Sequence, residues 1–335
     1  MKPALLIGVL IVLLGAAFVA ELAFGAVALS IDDVLGVLFD IGDTTGQASL
    51  IVEAIRLPRA VLTALVGAIL AISGAATQGL FRNPLADPSL IGVTAGASAG
   101  ASLAIVFGGG LAGWAGLSLV SMAAFIGGAA AVVLVYILAT RESGTSVATM
   151  LLAGIAISAL AGSMTSLLEF YASDAMLRRI SLWQMGGLEG ANWSRVGILS
   201  GVALVVFIGL PRCAVALNAL LLGESEARHL GFAVDRIKVG LIGLVAAGVG
   251  VSVALAGAIA FVGLVMPHIV RLTIGPDHRA LLPASALAGA VLLLVADTVA
   301  RVVVAPTELP VGLLTALLGA PFFIVLLRGS KDYGL

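Results

Sequence analysis

Charged residues are scarce in this chain of 335 residues. Asp, Glu, Lys and Arg together make up 10% of it, against roughly 25% in an ordinary soluble domain. So few charges favour a membrane protein over a water-soluble one, and the net charge of -1 offers no basic surface to a nucleic acid. The single cysteine, Cys213, excludes an intrachain disulfide.

The sequence also lacks the common motifs of catalysis and of metal or nucleotide binding. It has no G-x-x-x-x-G-K-[ST] loop, the glycine-rich segment that surrounds nucleotide phosphates. Its three histidines, His229, His268 and His278, form no H-E-x-x-H pair and stand beside no paired cysteines. We therefore expect no enzyme activity, no metal site and no cofactor bound by this chain itself.

Hydrophobic residues make up 61% of the chain and occur in long runs. About twenty residues at roughly 1.5 Å each span the hydrocarbon core of a bilayer. The sequence predicts an all-α polytopic membrane protein, in which residues 1–335 form one transmembrane domain of about ten helices. The predicted spans are 4–28, 60–80, 90–107, 114–139, 147–168, 196–211, 239–255, 257–270, 281–297 and 308–327. The first run is either a retained helix or a signal peptide with a cleavage site at Ala26-Val27-Ala28, and its length favours the helix.

The distribution of basic residues predicts the orientation in the membrane. Ten spans place both termini on one side of the bilayer. With that side inside, the inner segments hold eleven Lys and Arg and the outer segments six, which together are all seventeen. Cytoplasmic segments of membrane proteins carry such an excess. We therefore expect a multi-pass protein of the cell (inner) membrane with both termini in the cytoplasm.

Glycines predict where two helices can pack closely. Gly92, Gly96 and Gly100 recur every four residues in the third predicted span, and a face of this kind lets helix backbones approach each other. Asp87-Pro88 precedes this span and predicts an N-cap followed by Pro at the first helical position.

Three arginines fall at the predicted outer ends of the spans. Arg56 and Arg59 precede the second span, and Arg301 follows Asp297 by four residues near the end of the ninth. One interpretation is that they anchor helix ends at the membrane interface, with an Asp297–Arg301 pair on one helix face. The other is that they attract the carboxylates of a soluble protein that docks there. The residues alone leave both interpretations open.

The longest polar loop on the predicted inner side covers about residues 212–238. Glu224 and Arg228 stand four residues apart in the favourable order for a helical ion pair, and Gly231 is suited to end a short helix. Leu222 and Leu230 stay apolar beside these charges. The loop is either a solvated connector or a helix that docks into the groove of another protein.

Several long runs of sequence occur in a fixed order along the chain. They are Arg56-Leu57-Pro58-Arg59, the loop Phe81-Arg82-Asn83-Pro84-Leu85-Ala86-Asp87-Pro88, the stretches 223–231, 256–271 and 277–283, and Gly319-Ala320-Pro321-Phe322-Phe323. Together they resemble the FecCD family of permease subunits of ABC importers, over about residues 50–328. The resemblance implies the fold of a type II ABC importer permease. It also implies inward transport of a large metal chelate, with an iron-siderophore or haem favoured and cobalamin possible.

The same resemblance implies partners and the residues that meet them. A separate ATP-binding cassette subunit would bind ATP and Mg²⁺, and a periplasmic or lipid-anchored binding protein would deliver the chelate. A second copy of the chain would complete a homodimer within the membrane lipid. The docking arginines would be Arg56, Arg59 and Arg301, which meet acidic residues of the binding protein. The ATPase subunit would contact a coupling helix at Gly223, Glu224, Ala227, Arg228, Leu230 and Gly231.

The resemblance further places the translocation pathway at the dimer interface, lined mainly by the fifth and tenth helices. A mildly polar wall on the fifth helix would comprise Ser158, Ser163, Met164, Thr165 and Ser166. These side chains serve equally well in helix packing, so both roles stay open. A short helix at about 172–183, with Arg178 and Arg179, would form an outer gate, and Thr145-Ser146 would form the inner gate.

Two other functions compete with an ATP-driven importer. An ion-coupled secondary transporter usually places ionisable residues at mid-span, where they bind the coupling ion. Here Glu21, Glu169 and Asp297 all fall near the outer ends of their spans, which disfavours that alternative. A structural or assembly subunit of the membrane is the second alternative.

Overall fold

The structure, a computed structural model, describes residues 1–25, 27, 29–41, 46–108, 114–141 and 144–329. Over these ranges the chain is almost entirely helical. The helices are α1 Pro3–Ala23, α2 Ile31–Phe39, α3 Gln47–Leu50, α4 Leu57–Leu80, α5 Val93–Phe107, α6 Trp114–Ala139, α7 Val147–Tyr171, α8 Asp174–Met185, α9 Trp193–Arg212, α10 Ala214–Leu221, α11 Glu224–His229, α12 Val234–Ala256, α13 Val262–Ile274, α14 His278–Val302 and α15 Val311–Gly329. Strands β1 Thr140–Arg141 and β2 Gly144–Thr145 pair as a short antiparallel hairpin, the one departure from the predicted all-α fold.

Each predicted span contains an apolar helix, but the helices differ in length. Within the described residues, seven helical stretches are long and apolar enough to cross a membrane: Pro3–Ala23, Ala48–Leu80, Ser118–Ala139, Val147–Tyr171, Trp193–Arg212, Val234–Ala256 and His278–Val302. Three shorter apolar helices, α5, α13 and α15, occupy the remaining predicted spans. The helical content and the seven long spans agree with a polytopic membrane protein.

The second span begins earlier than the sequence predicts. The run Arg56–Arg59, which resembles a turn because of its proline, is helical throughout: a π-helical turn, Ile51–Arg56, leads directly into α4. Leu57 donates its N–H to the carbonyl of Val52, five residues back. Pro58 stands in the first turn of α4, where its missing N–H costs little.

Left-handed residues delay the start of two other predicted spans. Gly257 and Phe261 both have positive φ, so the predicted span 257–270 becomes helical only at Val262, the first residue of α13. Asp87 accepts a hydrogen bond from the N–H of Ser89 and caps a 3-10 turn, Pro88–Ile91. Gly92, at φ 80°, separates this turn from α5. The predicted cap is therefore confirmed, although it begins the 3-10 turn and not the long helix.

Close glycine contacts hold α4 in the centre of the bundle. A Cβ added at Gly67 would collide with the carbonyl oxygen of Gly289 in α14, and one at Gly74 would collide with the carbonyl of Gly263 in α13. Helix backbones approach this closely only where side chains are absent, and dispersion contacts along such faces drive helix association in lipid. Most of α4 is buried as a result, whereas few residues of α1 and α7 are buried within the chain.

The predicted glycine face of the third span is confirmed in part. Gly96 and Gly100 of α5 pack against the backbone of α6 around Gly127, where added Cβ atoms would collide. Gly92 makes no comparable contact, because it lies before the helix in a left-handed conformation.

Helix α2 was missed in the sequence. Ser30 accepts a hydrogen bond from the N–H of Asp33, whose carboxylate accepts one from the N–H of Ser30, and this capping box begins α2. The pattern Ser-x-x-Asp was the available signal. The proposed cleavage site includes Ala26 and Ala28, which lie outside the described residues.

The chain direction of the helices defines two ends of the bundle. The arginine end is where α4 begins and where α1, α7, α12 and α14 end. The coupling end is where α4 ends, where α7, α12 and α14 begin, and where the short helices α10 and α11 lie.

Candidate functional site

At the arginine end, Arg59 of α4 lies between two carboxylates. Its Nε donates to Asp297 Oδ2 at 2.7 Å and its Nη2 to Asp297 Oδ1 at 2.8 Å, a bidentate pair with α14. Its Nη1 donates to Glu308 Oε2 at 2.8 Å, just before α15. Paired geometry of this kind offsets much of the cost of removing the charges from water.

Arg301 and Arg56 extend this cluster to α1. Arg301 Nη2 lies 2.7 Å from Glu21 Oε1 and also donates to the Glu21 carbonyl, while its Nε lies 3.4 Å from Asp297 Oδ2. Arg56 donates to the carbonyls of Leu22, at 2.6 Å, and Ala23, at 2.9 Å, and also to that of Val27. The end of α1 is therefore held by two guanidinium groups.

These contacts bury Arg56, Arg59 and Arg301, the three arginines predicted either to anchor helix ends or to meet a docking partner. Their exposed fractions are 5%, 8% and 5%, and each satisfies donors within the chain. The predicted Asp297–Arg301 pair is present and belongs to a larger network. Three carboxylates, those of Glu21, Asp297 and Glu308, balance the three arginines, and Glu308 is the most exposed of them at 33%. Docking of a partner here stays a prediction and requires these internal pairs to open.

Sequence reasoning placed Glu21 only as a carboxylate near the interface and did not connect it to Arg301. The two residues are separated by 280 positions, and Glu21 is fully buried. A lone acid in an apolar run was the available signal, because such a residue inside a membrane protein needs a partner.

The predicted gate helix at about 172–183 corresponds to α8, Asp174–Met185, which Ser173 caps. The side chains of Arg178 and Arg179 are both exposed. Gln184 donates to Glu169 Oε1 at 2.9 Å and connects α8 to the end of α7. Arg179 lines a cavity of about 250 Å³ together with Trp183, Glu189, Arg195 and neighbouring residues, so the two arginines have different surroundings.

The five side chains of the predicted polar wall on α7 do not all face the same side of the helix. Ser163, Met164 and Ser166 are exposed and Ser158 is partly buried, whereas Thr165 is buried and donates to the carbonyl of Ala161 at 3.0 Å. Ser163 likewise donates to the carbonyl of Ala159 at 2.9 Å. The cavity beside α8 and the adjoining one of about 620 Å³ are lined, among the described residues, by side chains from elements other than α7. The exposed members of the wall therefore lie on the outer surface of a single chain.

At the coupling end, the predicted short helix is present as α11, Glu224–His229. Gly223 precedes it at φ 125° and Gly231 follows it at φ 88°, conformations that favour glycine. Ala227 is fully buried, in a small cluster with Leu220 and Val234 that attaches α11 to the bundle. Leu222 and Leu230 are 68% and 61% exposed, so the predicted apolar flanks face outward.

The predicted ion pair between Glu224 and Arg228 is wrong. Glu224 Oε1 lies 2.6 Å from Nζ of Lys238, and Arg228 Nη2 donates to Asp235 Oδ2 at 3.2 Å. Both partners lie in the first two turns of α12, because the chain reverses at Gly231 and brings α12 against α11. Lys238 was not identified from the sequence as a candidate site residue. Its isolation, as the one lysine between Lys2 and Lys331, was the available signal.

The predicted inner gate, Thr145 and Ser146, joins the hairpin to α7. Thr145 is buried and its carbonyl accepts a hydrogen bond from Lys238 at 2.7 Å. Ser146 is exposed and caps α7 by accepting from the N–H of Thr149 at 3.3 Å. These positions fix the start of α7, and their role as a gate stays a prediction.

Asn218 attaches the short helix α10 to the start of α14. Its amide donates to Asp277 Oδ1 at 2.6 Å, and its carbonyl oxygen accepts from the N–H of His278 at 2.9 Å. Hydrogen bonds from the N–H of Arg279 and from Asn218 hold the pKa of Asp277 below its ordinary value. Within the described ranges no cluster of three His, Cys, Asp or Glu side chains is placed to hold a metal ion.

Comparison with known proteins finds likenesses over nearly the whole chain. The profile of the FecCD transport family matches residues 11–329. The hemin transport system permease protein HmuU of Yersinia pestis is 43% identical over 332 residues, 99% of this chain and 97% of that protein. The cobalamin import system permease protein BtuC of Halobacterium salinarum is 47% identical over 290 residues, 85% of this chain and 75% of that protein. A solved structure described as an inward-facing conformation of a metal-chelate type ABC transporter covers all of both chains, with 32% identity and a TM-score of 0.84.

Proposed function

Because this chain belongs to the FecCD transport family and is a permease subunit of an ABC importer, we propose that it carries haem, the first candidate among large metal chelates. The observation that carries this choice is the likeness to a hemin permease over almost the full length of both proteins. An iron-siderophore is, like haem, a large iron chelate, so it belongs to the same class of candidate substrates. The exposed Arg178 and Arg179 near the end of α7 suit the carboxylates of such chelates.

Cobalamin is the second candidate. A cobalamin permease is 47% identical to this chain, a higher value than that of the hemin permease, although over a smaller share of both proteins. The exposed side chains of α7 are polar but uncharged at Ser163 and Ser166, and such a surface admits either chelate without trapping it. The choice between the two substrates therefore requires a direct measurement.

The proposal includes three partners. An ATP-binding cassette subunit binds at α11, because the exposed Leu222 and Leu230 flank the charged residues of this helix and offer apolar contacts to a groove. A substrate-binding protein docks at the arginine end. A second copy of the chain packs against the exposed face of α7 and encloses the pathway between the two copies.

We place ten spans in the membrane, with α5, α13 and α15 completing the seven long helices. Both termini and the coupling end then lie in the cytoplasm, as the excess of basic residues in those segments predicts. Cysteine labelling of intact cells, at Ser225→Cys for the coupling end and Asp174→Cys for the arginine end, tests this orientation.

Reconstitution tests the substrate. The permease, its ATPase subunit and its binding protein are placed in liposomes, and uptake of haem and of cobalamin is measured with and without ATP. We expect ATP-dependent uptake of haem that continues after the proton and sodium gradients are collapsed. Uptake by an ion-coupled transporter would stop under these conditions. Cobalamin uptake without haem uptake would replace the first candidate with the second. Absence of uptake of both chelates would overturn both candidate substrates.

A further inference from the structure

Lys238 is a cation with almost no access to water. It lies in the second turn of α12 and its side chain is 1% exposed. Its Nζ lies 2.6 Å from Glu224 Oε1, in the first turn of α11, and donates to the carbonyl of Thr145 at 2.7 Å, in strand β2. One ammonium group thus joins three elements: α11, α12 and the β1–β2 hairpin.

Both of these contacts are needed for the lysine to stay buried. Lysine is almost never fully buried without a partner, because removing an ammonium group from water is unfavourable unless charge and hydrogen bonds compensate. Glu224 supplies the charge and the Thr145 carbonyl supplies a second acceptor. A displacement of α11 that carried Glu224 away would leave the buried ammonium group without its carboxylate, which is unfavourable. We therefore expect the three elements to move together.

The hairpin leads directly to the start of α7. Thr145 is the last residue of β2, and the next residue, Ser146, is the N-cap of α7. The hairpin also fits closely against α12, since a Cβ added at Gly144 would lie 2.7 Å from Asp235 Oδ1. A shift of the hairpin therefore moves the first turn of α7, the helix whose exposed face we assign to the pathway.

We propose that Lys238 is a positioning residue that transmits movement of α11 to the hairpin and from there to the start of α7. The proposal rests on the proposed function, in which an ATPase subunit contacts α11. The ion pair between Arg228 and Asp235 also joins α11 to α12, but both of its side chains are 49% exposed, and exposed pairs contribute little. The buried contacts of Lys238 are the stronger connection between the two helices.

The experiment measures movement of the hairpin separately from ATP hydrolysis. The permease–ATPase complex is prepared with Cys213→Ala and Arg141→Cys, so that an exposed position of strand β1 carries the one thiol of the permease. The rate at which a water-soluble maleimide labels this thiol is measured without nucleotide and with ATP and vanadate. We expect ATP to change the rate in this parent complex. In Lys238→Met the change should be lost although the ATPase still binds and hydrolyses ATP.

Two further variants make the test specific. Lys238→Arg keeps a cation that reaches both acceptors and should restore the nucleotide-dependent change. Arg236→Met removes a basic residue from the preceding turn of α12, where the side chain is exposed, and should behave like the parent. If Lys238→Met does not fold, Glu224→Gln removes the charge of its partner and should reduce the change in labelling.

The outcomes that overturn the proposal are distinct. A nucleotide-dependent change that persists undiminished in Lys238→Met, or in Glu224→Gln, would show that α11 and the hairpin do not communicate through this contact. A parent hairpin that ignores ATP while the complex hydrolyses it would overturn the inference and leave the proposed function standing. A permease that binds no ATPase subunit at all would overturn both.

Discussion

Arg59 and Asp297 form a bidentate ion pair between residues 238 positions apart in the chain. The pair joins the beginning of α4 to the end of α14, the two helices that also meet through Gly67 and Gly289. The Arg59–Asp297 pair therefore stabilises the packing of α4 on α14, whatever partner binds at the arginine end.

Loss of Arg59 should destabilise the protein strongly. Arg59→Met leaves Asp297 buried without its bidentate partner, and breaking a buried pair from one side costs about 3–5 kcal/mol. Arg228→Met breaks an exposed pair, and should cost about 1 kcal/mol or less. Apparent unfolding temperatures of both variants in detergent check this difference. Equal temperatures for the two variants would contradict the structural role of the buried pair.

Glycine-to-alanine changes should have opposite effects in α4 and α1. In Gly74→Ala the new methyl group would collide with the carbonyl of Gly263, and overpacking of this kind costs about 1–3 kcal/mol. A Cβ at Gly8 meets nothing within 4 Å, so Gly8→Ala should gain up to about 1 kcal/mol of helix propensity. Thermal unfolding of the two variants checks the signs. A stabilised Gly74→Ala variant would show that α4 and α13 can separate at little cost.

An acidic residue at the apolar flank of α11 should weaken the ATPase complex. Leu222→Asp places a charge on a side chain that is 68% exposed at the coupling end, and loss of a central interface contact costs about 1–2 kcal/mol, or roughly 5–30-fold in affinity. Leu50→Asp adds the same charge on an equally exposed leucine at the arginine end and serves as the control. Copurification and binding assays with the ATPase subunit check the difference; equal losses would remove α11 as the contact.

Neutralising Glu308 should favour docking of an acidic binding protein at the arginine end. Glu308→Gln removes the most exposed carboxylate that occupies Arg59, so this guanidinium becomes available to a carboxylate of the partner. We expect faster association, with a larger gain at low salt, because screening reduces such attraction. Asp32→Asn removes an exposed acid from α2 at the same end and should gain less. An association rate that does not distinguish the two variants would contradict docking on Arg59.

Arg178 should matter more than Arg179 for uptake of an anionic chelate. Both are exposed, but Arg179 lines the cavity with Trp183 and Glu189 within one chain. We therefore expect Arg178, which does not line that cavity, to be the arginine that contacts the chelate. Arg178→Ala should lower haem uptake with little loss of stability, whereas Arg179→Ala should lower it less. Transport assays with haem, with unfolding temperatures measured in parallel, check this order. Unchanged uptake in both variants would leave the arginines a role in anchoring alone.

The sequence by itself determined the class of protein, the positions of its apolar helices and its family. Apolar runs persist for the length that a bilayer requires, and this physical constraint can be read locally, without knowledge of the fold. The short helix at Glu224–His229 was likewise predictable, since a glycine that can end a helix and leucines that flank a charged stretch are local signals.

Tertiary structure decided the ion pairs that join different helices, whereas the Asp297–Arg301 pair within one helix was predictable from spacing. For Arg56, Arg59 and Arg301 the sequence left anchoring and docking open, because nothing local indicates that the end of α1 lies beside Arg56 and Arg301, or Asp297 beside Arg59. The predicted pair of Glu224 with Arg228 was wrong for the same reason: Gly231 reverses the chain and offers each side chain a partner in α12. Ion pairs form between groups that are close in space, and helical spacing predicts only the neighbours on one helix. Lys238 therefore acquired its position among α11, α12 and the hairpin only when the chain was folded.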